Sequence, residues 1–200
     1  SSSIVQFLME STMRNLILAL NSGGQPHSWI TWQDAVTLKC KDLISWEFGD
    51  EEFMFHGGLS RMTGLRSQVE VASIVALKSK FHYEKRTPTL SNRNLFRRDL
   101  HVCGYCGHTF KEAVLTKDHI VPVSKGGLTT WTNCVTACVS CNGRKDNMSL
   151  KEAGMELLYV PYTPDKAEAL ILQNRNILAD QMKFLKDFLP KHSRVLTLLD

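Results

Sequence analysis

Two Cys-x-x-Cys pairs constrain the fold of this chain more than any other feature of its sequence. The first pair is Cys103 and Cys106, and the second is Cys138 and Cys141. Four thiolates in two such pairs suit one tetrahedral Zn²⁺, which contributes folding free energy to a small module. A redox-active pair is the alternative, because Cys103-Gly-Tyr-Cys106 superficially resembles an oxidoreductase site. The second pair favours the structural zinc site.

Side chains of a different chemistry lie between and beside the cysteine pairs: Asp118, His119, Asn133 and Asn142. Carboxylate and amide oxygens are ligands of hard cations such as Mg²⁺ or Mn²⁺. A neutral imidazole can accept a proton from water near neutral pH. The pattern therefore predicts a hard catalytic metal next to a general base. The alternative for His119 is a histidine that is satisfied by hydrogen bonds in the core.

The stretch from Cys103 to Lys145 resembles the HNH endonucleases, whose active site is a ββα-metal module. The positions that carry the resemblance are Asp118-His119-Ile-Val-Pro122, Gly126-Gly127, Asn133 and Cys138-Val-Ser-Cys141-Asn142-Gly-Arg144-Lys145. The flanking segments Ile30–Val36 and Ala153–Leu157 are similar to segments of a bacterial subgroup of that family.

The resemblance implies a role for each site residue. His119 activates the water that attacks the scissile phosphorus, and Asp118 and Asn142 hold the divalent metal. Successive residues of a strand face opposite ways, so Asp118 and His119 both line the site only because the strand end bends. Asn133 orders the loop and helps to orient the histidine. The products carry 3′-hydroxyl and 5′-phosphate ends. The last motif position, which is often His in the family, is Asn142 here. An amide oxygen favours Mg²⁺ or Mn²⁺ over softer ions. This departure from the family pattern leaves the metal preference open but not the reaction class.

Basic residues suggest how a nucleic acid is held. Arg144 and Lys145 follow Asn142 on the expected motif helix, where they either contact phosphate or form an exposed helix face. Seven further Lys and Arg residues precede the motif, and a solvated helix face is the alternative for them too. They are Lys78, Lys80, Lys85, Arg86, Arg93, Arg97 and Arg98.

The chain is expected to be α+β and to have three parts. Residues 1–90 form a small N-terminal α+β domain of unknown role, residues 91–160 the zinc-stapled HNH module, and residues 161–200 a C-terminal helical extension. Apolar residues at near-helical spacing predict one long amphipathic helix from Asp165 to Leu189.

Local signals predict the shorter elements. Ser91 and Thr31 are candidate N-caps, and Ser149-Leu-Lys-Glu152 is a capping-box pattern. Apolar and β-branched runs predict strands at Met13–Leu20, Ile44–Phe48, Val69–Leu77 and Leu115–Val121.

Composition limits where in the cell the protein is expected to act. The chain has 200 residues, a net charge of +4 and no apolar run long enough to span a bilayer. Cysteines arranged as metal ligands, without a secretion signal, indicate a reducing compartment, so we expect a cytoplasmic monomer or homodimer with no membrane association.

A metal-dependent DNA endonuclease is the function that these observations predict. A non-catalytic zinc module that binds nucleic acid would need the cysteines but not Asp118, His119 or Asn142. An RNA-cleaving nuclease remains open, because HNH sites act mainly on the sugar-phosphate backbone.

Overall fold

The computed structural model describes residues 15–78 and 87–198 of the chain. Helices and strands are both abundant in these ranges, which confirms the expected α+β fold class. The chain divides into two compact units. The first consists of the described parts of residues 1–84 and 174–200, and the second of the described part of residues 85–173. The three-part division expected from the sequence stays a prediction.

Six strands and six α-helices lie within the described ranges. In chain order they are β1 (Ile17–Leu20), β2 (Pro26–Ile30), α1 (Trp32–Cys40), β3 (Ile44–Leu59), β4 (Arg66–Leu77), α2 (Asn92–Arg98), β5 (Leu115–His119), β6 (Cys134–Cys138), α3 (Val139–Lys145), α4 (Leu150–Ala153), α5 (Lys166–Gln173) and α6 (Ala179–Lys186). Of the described helices, none has both the length and the apolar character needed to cross a membrane.

The first unit is built on a four-stranded sheet in the order β2-β1-β4-β3. Strand β1 runs antiparallel to β2 and parallel to β4, and β3 and β4 form an antiparallel pair. The predicted helix α1 begins as expected, since Thr31 Oγ1 accepts a hydrogen bond from the backbone N–H of Asp34 at 3.2 Å. It covers one face of the sheet, where Ala35 is fully buried with Ile17 and Val75.

Asp180 of α6 stabilises an irregularity in the sheet of the first unit. Its Oδ2 accepts hydrogen bonds from the backbone N–H groups of Asp50 (3.0 Å) and Glu51 (3.2 Å) and from the hydroxyl of Ser73. These hydrogen bonds satisfy backbone N–H groups that lose their strand partners where the β3–β4 register shifts, between Phe48 and Glu52. Gly49 in this bulge has φ +124°, and a Cβ there would approach Ser73 Oγ to 2.2 Å.

The single long helix predicted over Asp165–Leu189 is wrong. The structure has two helices, α5 and α6, which belong to different units. Local hydrogen bonds explain the break: Asn174 Oδ1 accepts from the N–H of Asn176 at 2.9 Å, and Gln181 Oε1 accepts from the N–H of Leu178 at 3.1 Å. Such side-chain bonds offer the backbone an alternative to a continuous helix.

The second unit contains the antiparallel pair β5–β6, followed directly by α3. Its register places Asp118 opposite Val135 and His119 opposite Cys134. Helix α2 packs nearby and is capped as predicted, since Ser91 Oγ accepts from the N–H of Asn94 at 3.2 Å. The capping box of α4 at Ser149 is also present.

The basic stretch before the motif is not uniformly a solvent-facing surface. Lys80, Lys85 and Arg86 lie outside the described residues. Arg98 is only 3% exposed and lies in the second unit, where it forms an ion pair with Asp99 at 2.7 Å. Arg98 is therefore a structural residue rather than a phosphate contact.

Candidate metal centre and catalytic groove

The four cysteines of the two pairs converge. The sulfur atoms of Cys103, Cys106, Cys138 and Cys141 all lie within 4.8 Å of one another. In a tetrahedral zinc–thiolate site, Zn–S bonds of about 2.3 Å place the sulfur atoms about 3.8 Å apart, so these thiols need only a small movement to bind one ion. The residues present fit a closed four-thiolate metal site, as the spacing predicted.

Backbone geometry prepares the two cysteine turns for a metal. The N–H of Gly107 donates to Cys103 O at 2.9 Å, and the N–H of Cys141 donates to Cys138 Sγ at 3.4 Å. Burial raises the pKa of Cys106 and raises that of Cys141 to about 12. Burial also has the largest influence on Cys103 and opposes its ionisation, but hydrogen bonds from the backbone of Cys106, Cys138 and Tyr105 outweigh it and lower the pKa of Cys103 to about 7. A thiol with a low pKa is a ready metal ligand, because the thiolate is the form that binds.

Strand β5 and helix α3 enclose an open groove of about 480 Å³. The residues that line it include Thr116, Asp118, His119, Pro122, Asn142 and Asp146. The structure thus brings Asp118, His119 and Asn142 to one concave surface. His119 is the last residue of β5, and both it and its neighbour Asp118 reach the groove from the strand end.

Asp118 is held firmly in the wall of this groove. Its side chain is buried, and its oxygens accept hydrogen bonds from the hydroxyl of Tyr105 and from Lys145 Nζ, the latter at 3.2 Å. Burial first, and then the bond to Asp118, raises the pKa of Tyr105, so this phenol stays protonated and continues to donate. An ionised carboxylate accepts about four hydrogen bonds, so capacity for a cation remains.

Lys145 does not lie on the surface of α3 as expected of a phosphate contact. Its side chain is completely buried, and Nζ donates to Asp118 and, at 2.8 Å, to the backbone oxygen of His119. Lys145 is three residues after Asn142, so both face β5 from the same side of the helix. That helical spacing was the signal in the sequence that could have revealed the inward position. Arg144, in contrast, is exposed.

His119 is half-buried and its ring is held by one side chain. Nε2 lies 2.8 Å from the hydroxyl of Thr129, a residue that sequence reasoning did not single out. Nδ1 has no hydrogen-bond partner among the residues that the structure describes. A neutral imidazole has one donor and one acceptor nitrogen. If Nε2 carries the proton and donates to Thr129, Nδ1 is left as an acceptor.

Asn133 uses its whole side chain to order the loop after β5. Oδ1 accepts from the N–H of Val121 at 3.0 Å, while Nδ2 donates to the backbone oxygens of Val121 (3.1 Å) and Leu128 (2.8 Å). Gly127 is required beside it, because a Cβ would lie 1.8 Å from Val121 O. Asn133 is therefore placed to support the loop rather than to touch a substrate.

Asn142 lines the groove, and its amide nitrogen is already engaged in a hydrogen bond. Its Nδ2 donates to Thr116 Oγ1 at 2.9 Å, and the Thr116 hydroxyl in turn donates to Ala137 O at 3.0 Å. With the amide nitrogen fixed in this way, the amide oxygen of Asn142 is the group left for a ligand. Asp118 and Asn142 together offer hard oxygen donors, and a pair of protein ligands completed by water and phosphate oxygens is typical of Mg²⁺.

An antiparallel strand pair followed directly by a helix, with a histidine, oxygen donors and a four-cysteine cluster, is the arrangement that the resemblance to the HNH endonucleases implies. Residues 103–158 match the sequence model of the family described as HNH endonuclease, which confirms the resemblance for this part of the chain. The match covers less than half of the chain. No curated protein matches the chain.

Proposed function

We propose that this protein is a metal-dependent endonuclease that hydrolyses phosphodiester bonds of DNA. One observation carries the proposal: a single groove is lined by a half-buried imidazole and by the oxygen donors of Asp118 and Asn142, inside the segment that matches the HNH endonuclease family. An enzyme of this kind needs a general base that deprotonates the attacking water and a cation that stabilises the phosphate. His119 is the candidate base, and Asp118 and Asn142 are the candidate ligands of the cation.

His119 is the proposed general base. It takes a proton from the attacking water through Nδ1, while Thr129 holds Nε2 and so fixes the ring. Lys145 binds the backbone oxygen of His119 and limits movement of the strand end. The base is thus positioned by two contacts that do not themselves touch the substrate.

Asp118 and Asn142 are the proposed ligands of the catalytic metal. A divalent cation, Mg²⁺ or Mn²⁺, would supply positive charge to the scissile phosphate and to the 3′ leaving oxygen. Tyr105 and Lys145 orient the Asp118 carboxylate, and Thr116 orients the Asn142 amide. The exposed Arg144 is the proposed contact to a neighbouring phosphate.

The four-cysteine cluster is proposed to hold Zn²⁺ in a purely structural role. Four thiolates fill a tetrahedral site and leave no open position for water or substrate. Its dependence on free thiols agrees with a reducing compartment such as the cytoplasm.

Digestion of supercoiled plasmid by the full chain tests the proposal. The protein is incubated with Mg²⁺, with Mn²⁺ and with EDTA, alongside labelled DNA and RNA oligonucleotides of the same sequence. We expect nicked plasmid with Mg²⁺ or Mn²⁺, none with EDTA, and faster cleavage of DNA than of RNA. Retarded but intact plasmid under every metal condition would indicate a binding module, and preferential loss of the RNA would indicate an RNA-cleaving nuclease.

A further inference from the structure

The β3–β4 pair of the first unit extends well beyond the sheet that supports it. Strand β1 pairs with β4 only from Ile74 to Ala76, whereas the β3–β4 pairing continues to Leu59 opposite Arg66. Trp32 of α1 stacks on Phe55 with ring centroids 4.4 Å apart, and this is where the covered part of the pair ends. Every residue from 56 to 68 is exposed. We call residues 56–68 the ribbon tip.

Charge is segregated along this ribbon. The part of the β3–β4 pair nearest the sheet carries a group of carboxylates: Glu47, Asp50, Glu51, Glu52 and Glu70. The ribbon tip contains no Asp or Glu, but it contains Arg61 and Arg66. Within the described part of the chain, neither arginine has an ion-pair partner. The tip therefore offers two uncompensated cations at the end of an otherwise acidic arm, an arrangement that suits a polyanion.

Large apolar side chains lie among these arginines. Met62 is 97% exposed, Leu65 71% and Leu59 65%. The turn that presents them is well ordered by hydrogen bonds, because Ser60 N–H donates to Leu65 O at 2.9 Å and Gly64 N–H donates to Ser60 O at 2.8 Å. A fixed turn with exposed apolar residues is a candidate contact surface.

Arginine next to exposed Met and Leu on a two-stranded ribbon matches the chemistry of duplex DNA. The major groove admits such a ribbon, arginine binds phosphates and base edges, and apolar side chains can wedge between base steps. A phosphate backbone explains the two cations, and stacked bases explain the apolar tip. A second copy of the chain would leave the charge segregation unused. Nucleic acid is favoured over an anionic lipid surface because the HNH match in the same chain implies a nucleic-acid partner.

We propose that the ribbon tip is a second DNA-binding element, which binds duplex DNA outside the catalytic groove. The inference rests on the proposed function, since it assumes that DNA is the substrate. It assigns a role to the unit that the HNH match does not cover. Arg61 and Arg66 would neutralise phosphates, while Met62 and Leu65 would contact the base steps or sugars.

Binding by the full chain tests this inference. All variants are made in a His119→Ala background, and their binding to a duplex probe is measured by fluorescence anisotropy at several salt concentrations. The two ribbon variants are Arg61→Ala/Arg66→Ala and Met62→Ser. The control variant is Lys41→Ala/Lys191→Ala, which removes two exposed cations elsewhere in the first unit. Loss of two phosphate contacts should weaken binding on the order of tenfold and reduce the slope of log K against log salt by about 2. Met62→Ser should weaken binding without changing that slope, and the control should bind like the parent. Circular dichroism checks that each variant folds.

Some outcomes would overturn the inference. If both ribbon variants bind the duplex as tightly as the parent, the ribbon tip does not bind DNA. Loss of binding to anionic vesicles, or a changed oligomeric state, with unaltered DNA binding would assign the tip to a membrane or to a second copy instead. Plasmid nicking by the wild-type chain is measured in parallel. If the wild-type chain nicks plasmid but the ribbon variants bind DNA as tightly as the parent, this inference alone is overturned. If the chain neither nicks plasmid nor binds DNA, the proposed function is overturned as well.

Discussion

Lys145 donates a hydrogen bond from its ammonium group to Oδ1 of Asp118 over 3.2 Å, entirely inside the protein. The two residues are 0% and 5% exposed. Removing one member of a buried ion pair leaves the other as an uncompensated charge. The pair thus links α3 to β5 and fixes a carboxylate that lines the groove, which ties the stability of the module to the geometry of its site.

Replacement of Lys145 by Met is expected to destabilise the protein by about 3 kcal/mol or more, because Asp118 would remain buried without its cation. Urea denaturation of the zinc-loaded chain measures this change. Arg144→Ala is the matched control: it removes the exposed basic neighbour and should change stability by less than about 0.5 kcal/mol. A Lys145→Met variant as stable as the parent but weaker in DNA binding would restore Lys145 as a phosphate contact.

Cysteine replacement tests the structural metal. Cys141→Ser should lower zinc content below one ion per chain and unfold the module, since a four-thiolate site supplies folding free energy. Cys40→Ser should retain zinc and stability, because Cys40 is exposed and lies outside the cluster. Elemental analysis and circular dichroism give the two readouts. Full zinc occupancy in Cys141→Ser would exclude this ligand set.

The identity of residue 142 should set the preferred catalytic metal. Asn142→Ala is expected to reduce cleavage with Mg²⁺, because the proposed oxygen ligand is lost, and Asn142→Asp should retain cleavage with Mg²⁺. Asn142→His should shift the preference towards softer ions such as Co²⁺ or Ni²⁺. Initial nicking rates across a metal series measure the shift. Identical metal profiles for all four proteins would remove Asn142 from the metal site.

Asp180 should be a major determinant of stability in the first unit. Asp180→Ala deletes an acceptor shared by the N–H groups of Asp50 and Glu51 and the Ser73 hydroxyl, so we expect a loss of about 2 kcal/mol. The exposed Asp187→Ala in the same unit is the control and should be close to neutral. Chemical denaturation separates the two, and equal stability of both variants would contradict this role.

Features set by local chemistry were predicted well from the sequence. The thiolate cluster follows from ligand spacing, and the caps at Thr31, Ser91 and Ser149 follow from side-chain hydrogen bonds within one turn. These interactions involve residues close in sequence or residue types with one dominant chemistry. For this reason they are visible before the fold is known.

Features set by contacts between distant residues were predicted less well. The β3–β4 ribbon is longer than the apolar runs at Ile44–Phe48 and Val69–Leu77 indicate, because backbone pairing continues through polar and glycine residues. Lys145 was expected on the surface: its spacing from Asn142 indicates an inward side, but its partner Asp118 is 27 residues away in the chain. Thr129 and Tyr105 were missed for the same reason: each acts on a site residue more than nine positions away.

Cleavage by His119→Ala tests the central claim most directly. Wild-type and variant chains with equal zinc content and circular dichroism are incubated with supercoiled plasmid and Mg²⁺, and the rate of nicking is measured. Loss of the proposed general base predicts a decrease of roughly 10²- to 10⁴-fold in the nicking rate of the variant. Equal nicking rates for the two proteins would contradict the account.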